Sequence, residues 1–103
     1  HESIAEPFVE NLLAVARTIK PGDPLSPDTQ FGAMVSEEQM ETALRYINTA
    51  NAEGCALKLG GQRAREDSGG FYVEPTVFDG VAASATLSRE EVFGPVLAVT
   101  RFK

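Results

Sequence analysis

The residues with chemical reach in this sequence crowd its closing stretch, S-R-E-E-V-F-G-P-V-L-A-V-T-R-F-K, from Ser88 to Lys103. Glu90 and Glu91 are adjacent carboxylates, a pairing that suggests acid–base work. Neighbouring residues leave a strand on opposite faces and a helix about 100° apart, so these two do not converge on one substrate bond. Glu91 and Phe93 stand two apart. On extended backbone both would leave the same face, roughly 6.5–7 Å from each other at about 3.3 Å per residue. A carboxylate can accept hydrogen bonds from both hydroxyls of a ribose, while a phenyl ring packs on the heteroaromatic ring that the sugar carries. Gly94 admits close approach and Pro95 stiffens the exit into a strand. The same spacing fits a surface glutamate beside a core phenylalanine, and spacing alone favours that plainer reading.

Elsewhere the chemistry is sparse. Cys55 is the single cysteine, and a nucleophilic thiol needs a base or a positive neighbourhood to ionise. The one histidine is His1, at the terminus, so Cys55 reads as a small buried filler. One Cys and one terminal His make no zinc set, and the glycines form neither a G-x-G-x-x-G fingerprint nor a P-loop. No catalytic and no metal-ligating residue is assigned.

The elements that must position Glu91 and Phe93 follow from periodicity. Phe8, Leu12, Val15 and Ile19 fall at helical spacing and predict a first helix with one apolar stripe, starting at Ser3 or at Pro7. Ser3 with Glu6 would make a capping box, whereas Pro7 suits the first helical position. Lys20 to Gly32 holds three prolines and two glycines and must be irregular. Ser36 with Gln39 forms another capping box, opening a second helix whose buried face is Met40, Ala43, Leu44, Ile47 and Ala50, and which Gly54 ends. Cys55–Leu59 reads as a strand, Gln62–Gly70 as a loop, and Phe71–Phe78 as one extended piece that Pro75 places at an edge or a bend. Val96–Phe102 reads as a strand covered on both faces. The fold class is α/β: helix, loop, helix, strand, strand, strand.

Composition narrows the function classes. The chain has 43% hydrophobic and 23% charged residues, typical of a globular segment. A net charge of −6 with scattered cations argues against nucleic acid as a partner. No apolar run is long enough to span a bilayer, and no signal or transit peptide is visible, so no membrane is expected and the cytoplasm is the default compartment. The chain opens on His1 without an initiator Met, enters a helix almost at once and leaves through a strand, as a piece of a longer protein would. Apolar strand edges on such a piece predict a homo-oligomer.

The stretch R-E-E-V-F-G-P-V, Arg89 to Val96, resembles the E-E-[IV]-F-G-P-[VI] signature of the NAD(P)-dependent aldehyde dehydrogenase superfamily. Four more segments are similar in order and spacing: K-P-G-D-P-L-S-P-D-T-Q-F-G from Lys20, E-E-Q-M-E-T-A-L-R-Y-I from Glu37, E-G-C-A-L-K-L-G-G from Glu53 and E-P-T-V-F-D-G-V from Glu74. The resemblance covers essentially residues 1–103. It implies part of the three-layer catalytic domain, starting downstream of the catalytic cysteine and incomplete as an isolated chain. It also implies a parent that oxidises an aldehyde to a carboxylic acid with NAD or NADP, through a thiohemiacetal and a thioester on that cysteine. Residue by residue, it implies that Glu91 binds the nicotinamide ribose hydroxyls, that Phe93 packs near the nicotinamide, and that Gln39 touches the cofactor, the capping box being its competing role. Thr42 stands where some members carry a cofactor-contacting lysine, and Ala33 where many carry proline. The closing stretch is similar to that of enzymes acting on aminoaldehydes of polyamine breakdown, such as γ-glutamyl-γ-aminobutyraldehyde dehydrogenases. The fragment alone is expected to be inactive. The alternative is a non-catalytic packing or assembly module of the same ancestry.

Overall fold

The computed structural model describes every residue from His1 to Lys103. A 3-10 turn at Glu2–Ile4 leads into helix α1, Ala5–Ala16, and the irregular segment ends at helix α2, Glu37–Ala52. Strand β1, Ala56–Leu59, is followed by a hairpin of β2, Arg63–Ala64, and β3, Tyr72–Val73, with a 3-10 turn at Glu66–Ser68 between them. Strand β4, Thr76–Asp79, then short helix α3, Thr86–Arg89, and strand β5, Val96–Val99, complete the chain.

The sheet has the order β1-β4-β5, with β4 antiparallel to β1 and parallel to β5. All four residues of β4 are buried. Successive strand residues face opposite sides, and β4 shows what that builds. Phe78 sits in a core with Met40, Ala43, Ile47 and Ala50 of α2 and Leu87 of α3. Val77 faces the other way, into a cluster with Val9, Leu13 and Ala16 of α1. Helix, sheet and helix make three layers, and β4 is the strand that two layers cover.

α2 follows its sequence closely. The Ser36 hydroxyl accepts from the Gln39 N–H at 3.2 Å, and Met40, Ala43, Ile47 and Ala50 are buried with Leu44 half-buried. At its C-terminus Gly54, with φ +80°, donates to Asn51 O and Cys55 donates to Ala50 O, a Schellman closure that needs a residue free to take positive φ.

Several expectations are corrected. The buried face of α1 is Ala5, Val9, Leu13 and Ala16, while Phe8 and Val15 are 53% and 63% exposed. Both stripes are apolar, and the one with alanine at each end is the one against the sheet, where small residues permit close approach. Ser3 does not cap this helix: its hydroxyl bonds the His1 ring at 2.8 Å, Ile4 holds the N-cap position, and Pro7 falls third in the helix, where no N–H is required. The helix also stops at Ala16, short of Ile19. The piece expected as one strand, Phe71–Phe78, is split at Glu74-Pro75 into β3 and β4, and the expected Gln62–Gly70 loop contributes β2. β5 is an edge strand with Leu97 46% exposed, and it ends at Val99. The strand covered on both faces is therefore β4.

Candidate functional site

Glu90–Gly94 links α3 to β5, and one face of α2 holds it. Gln39, Ala43 and Tyr46 lie four and three residues apart, so they stand in line on that helix. The Gln39 amide nitrogen donates to two consecutive carbonyls, Val92 O at 3.0 Å and Phe93 O at 3.1 Å. The capping box is thus half-formed: the Ser36 hydroxyl takes the Gln39 backbone N–H, but the Gln39 side chain reaches the linker instead of returning to Ser36. Gly94 lies against the helix, where an added methyl would come within 3.2 Å of Ala43 Cβ and 3.3 Å of Met34 Cε. The Tyr46 hydroxyl donates to Glu90 Oε2 at 2.7 Å. That bond, with burial and the carboxylate's charge, holds the Tyr46 phenol above its ordinary range.

Glu53, the C-cap of α2, secures the helix that leads into the linker. Its carboxylate accepts from the Thr86 hydroxyl at 2.6 Å and the Thr86 N–H at 2.9 Å, capping α3 from across the fold. These two bonds hold the Glu53 carboxyl below its ordinary range.

The two adjacent carboxylates diverge, as their spacing requires. Glu90 turns to Tyr46, whereas Glu91 is exposed and makes no hydrogen bond or ion pair. The extended backbone expected through Phe93 is corrected: Phe93 has φ +52°. The simple alternation of faces therefore does not relate it to Glu91. Both residues nevertheless line one shallow concavity of about 420 Å³, together with Leu87, Val92 and Ala98. Phe93 is 74% exposed, outside the core that residues 1–103 build. A positive φ in a residue with a Cβ costs on the order of 1–2 kcal/mol, and the bonds from Gln39 offset it. Gln39 is brought to the same linker, but against its backbone. Thr42 accepts from Arg45 at 3.0 Å on the next turn of α2.

Cys55 is half-buried and packs against the α2 core, with no histidine near it; His1 lies edge-on to Phe102. At the other end of β4, Arg101 pairs with Asp79 through both carboxylate oxygens and with Glu6 at 2.6 Å, tying α1 to the sheet. The roles of Tyr46, Glu53 and Arg101 are not visible in the sequence. Only the helical spacing of Tyr46 from Gln39 hints at one of them.

Comparison with known proteins fits this arrangement. The model of the aldehyde dehydrogenase family matches residues 1–103, and the chain belongs to that family. It is 44% identical over 103 residues to a betaine aldehyde dehydrogenase of Hordeum vulgare, covering all of this chain and 20% of that protein. Among solved structures, it matches an indole-3-acetaldehyde dehydrogenase complexed with NAD+ at TM-score 0.95 and 44% identity, over 97% of this chain and 20% of that one. A γ-glutamyl-γ-aminobutyraldehyde dehydrogenase from Burkholderia cenocepacia matches at TM-score 0.94 and 47% identity, over 99% of this chain and 20% of that one. The fold is that of a part of the aldehyde dehydrogenase catalytic domain. The chain spans about a fifth of the length of the relatives it matches.

Proposed function

We propose that this chain supplies the nicotinamide side of the cofactor site of an NAD-dependent aldehyde dehydrogenase. In that enzyme a cysteine outside residues 1–103 would add to the aldehyde carbonyl, the adduct would lose a hydride to become a thioester, and water would hydrolyse the thioester, releasing the carboxylic acid and freeing the thiol. One observation carries the reading: an unpartnered carboxylate, Glu91, and an exposed ring, Phe93, line one concavity on a linker that α2 holds by its backbone. A free carboxylate with two acceptor oxygens fits the two hydroxyls of a ribose, and an exposed phenyl fits the face of the attached ring. NAD, when bound, takes up the hydride. Glu91 orients the sugar, and Phe93 shields one face of the ring from water. NAD is preferred over NADP because a matched structure is complexed with NAD+. Aminoaldehydes and betaine aldehyde are the proposed substrate class, on the names of the relatives.

The test is calorimetric titration of NAD into the full-length protein. Glu91→Gln keeps the shape and removes the charge from a pair of charge-assisted hydrogen bonds, which should weaken binding about tenfold. Phe93→Ala should weaken it by a similar factor. Unchanged affinity in both variants would remove the reading.

A further inference from the structure

We propose that Gln39 is a positioning residue: it sets the backbone of the Glu91–Phe93 linker, and cofactor affinity depends on it through Phe93. The proposal rests on the reading that Phe93 meets the cofactor. The Gln39 amide nitrogen lies within hydrogen-bond distance of both Val92 O and Phe93 O, at 3.0 and 3.1 Å. Two consecutive carbonyls can meet one nitrogen only where the chain turns sharply, and the turn coincides with φ +52° at Phe93. A ring-bearing residue does not hold that conformation unaided.

The neighbouring contacts fix the ends of the linker and leave its middle to Gln39. Tyr46 holds Glu90 by its side chain, and Gly94 is seated against Ala43. Between them, Gln39 provides the only side-chain bonds to Val92 and Phe93. The Gln39 backbone is in turn fixed by the Ser36 hydroxyl, so the clamp is built on a rigid helix end.

Gln39→Met in the full-length enzyme removes both donors at similar length, and Gln39→Glu places a third acceptor against two carbonyls. Without NAD, both variants should speed amide hydrogen exchange across residues 90–96 and leave exchange at the Glu66–Ser68 turn unchanged. A melting temperature near that of the parent protein would show that the fold survives. With NAD, Gln39→Met should raise Kd about tenfold in the parent background and less than about twofold in a Phe93→Ala background. Unchanged exchange in both variants would overturn the positioning role. An equal tenfold loss in both backgrounds would overturn the route through Phe93 and assign Gln39 a direct contact. If Phe93→Ala alone leaves Kd unchanged, the cofactor reading of Phe93 fails, and the exchange data still decide what Gln39 does to the linker.

Discussion

Phe93 combines two features that stability alone would select against, an exposed ring and a positive φ. Strain of this kind is kept where the surroundings over-determine it, commonly at sites that bind. Phe93→Gly relieves the backbone and loses little packing. We expect it to hold or raise stability by about 1 kcal/mol in urea unfolding, while NAD binding falls. A large loss of stability would mean that the ring packs on something essential. Asp79 has the opposite character. Its hydrogen bonds from Arg101, opposed by burial and aided by the Gly80 N–H and the charge of Lys58, hold its carboxyl below the ordinary range. A depressed carboxyl contributes stability that is present above its unfolded pKa and is lost as pH falls through its folded value. Stability should therefore be level near neutrality and fall below about pH 4. Asp79→Asn should lower it at pH 7 by about 1–2 kcal/mol, since Arg101 keeps partial access to water, and flatten the acid limb. The residue types of this site were legible in the sequence, but the geometry was not. The Glu-x-Phe spacing drew attention to a pair that does line one concavity, but the extended geometry it assumed is invalidated by the turn at Phe93.

At the scale of elements, α2 does most of the positioning. Ser36→Ala removes the N-cap of this helix and with it the anchor of Gln39. A loss of about 1 kcal/mol is expected, together with weaker NAD binding in the full-length protein. A stability loss without a binding loss would separate the cap from the clamp. α2 was legible almost residue by residue because cap, apolar period and terminal glycine all agree. α1 was not, because Phe8-Leu12-Val15 and Val9-Leu13-Ala16 are both apolar at helical spacing. Periodicity gives the angle between faces but not which face meets the sheet; the steric tolerance of alanine settled that. α3 escaped notice because four residues carry no period, and its cap, Glu53, lies 33 residues away in the chain. The β2–β3 hairpin was hidden by a loop whose turn places Arg65 at φ 50° with its guanidinium over the Tyr72 ring.

At the scale of the whole molecule, the three layers are thin and unevenly covered. Ile4, Phe8 and Val15 on the outer side of α1, with Leu97 on β5, leave apolar surface exposed. β5 has only one strand partner. Such surface is unstable in water unless something covers it. Residues 1–103 produced alone should self-associate, and sizing chromatography should show species larger than a monomer of 11.0 kDa. Phe8→Glu with Leu97→Lys should shift that distribution toward monomer. The same preparation should oxidise no aldehyde, as followed by NADH absorbance; turnover would place a complete active site within these residues. The family was legible at this scale because five segments keep their order. The covering of each surface was not, since a sequence pattern marks an apolar face without naming its neighbour.

The way α2 holds the linker has a consequence for redesign. Gln39 grips carbonyl oxygens, which every residue carries, so the grip is blind to the side chains at positions 92 and 93. A library that varies Glu91 and Phe93 while sparing Gln39, Ala43 and Gly94 would display different chemistry on a constant loop. The turn that shapes the present contact could then serve as a socket for others.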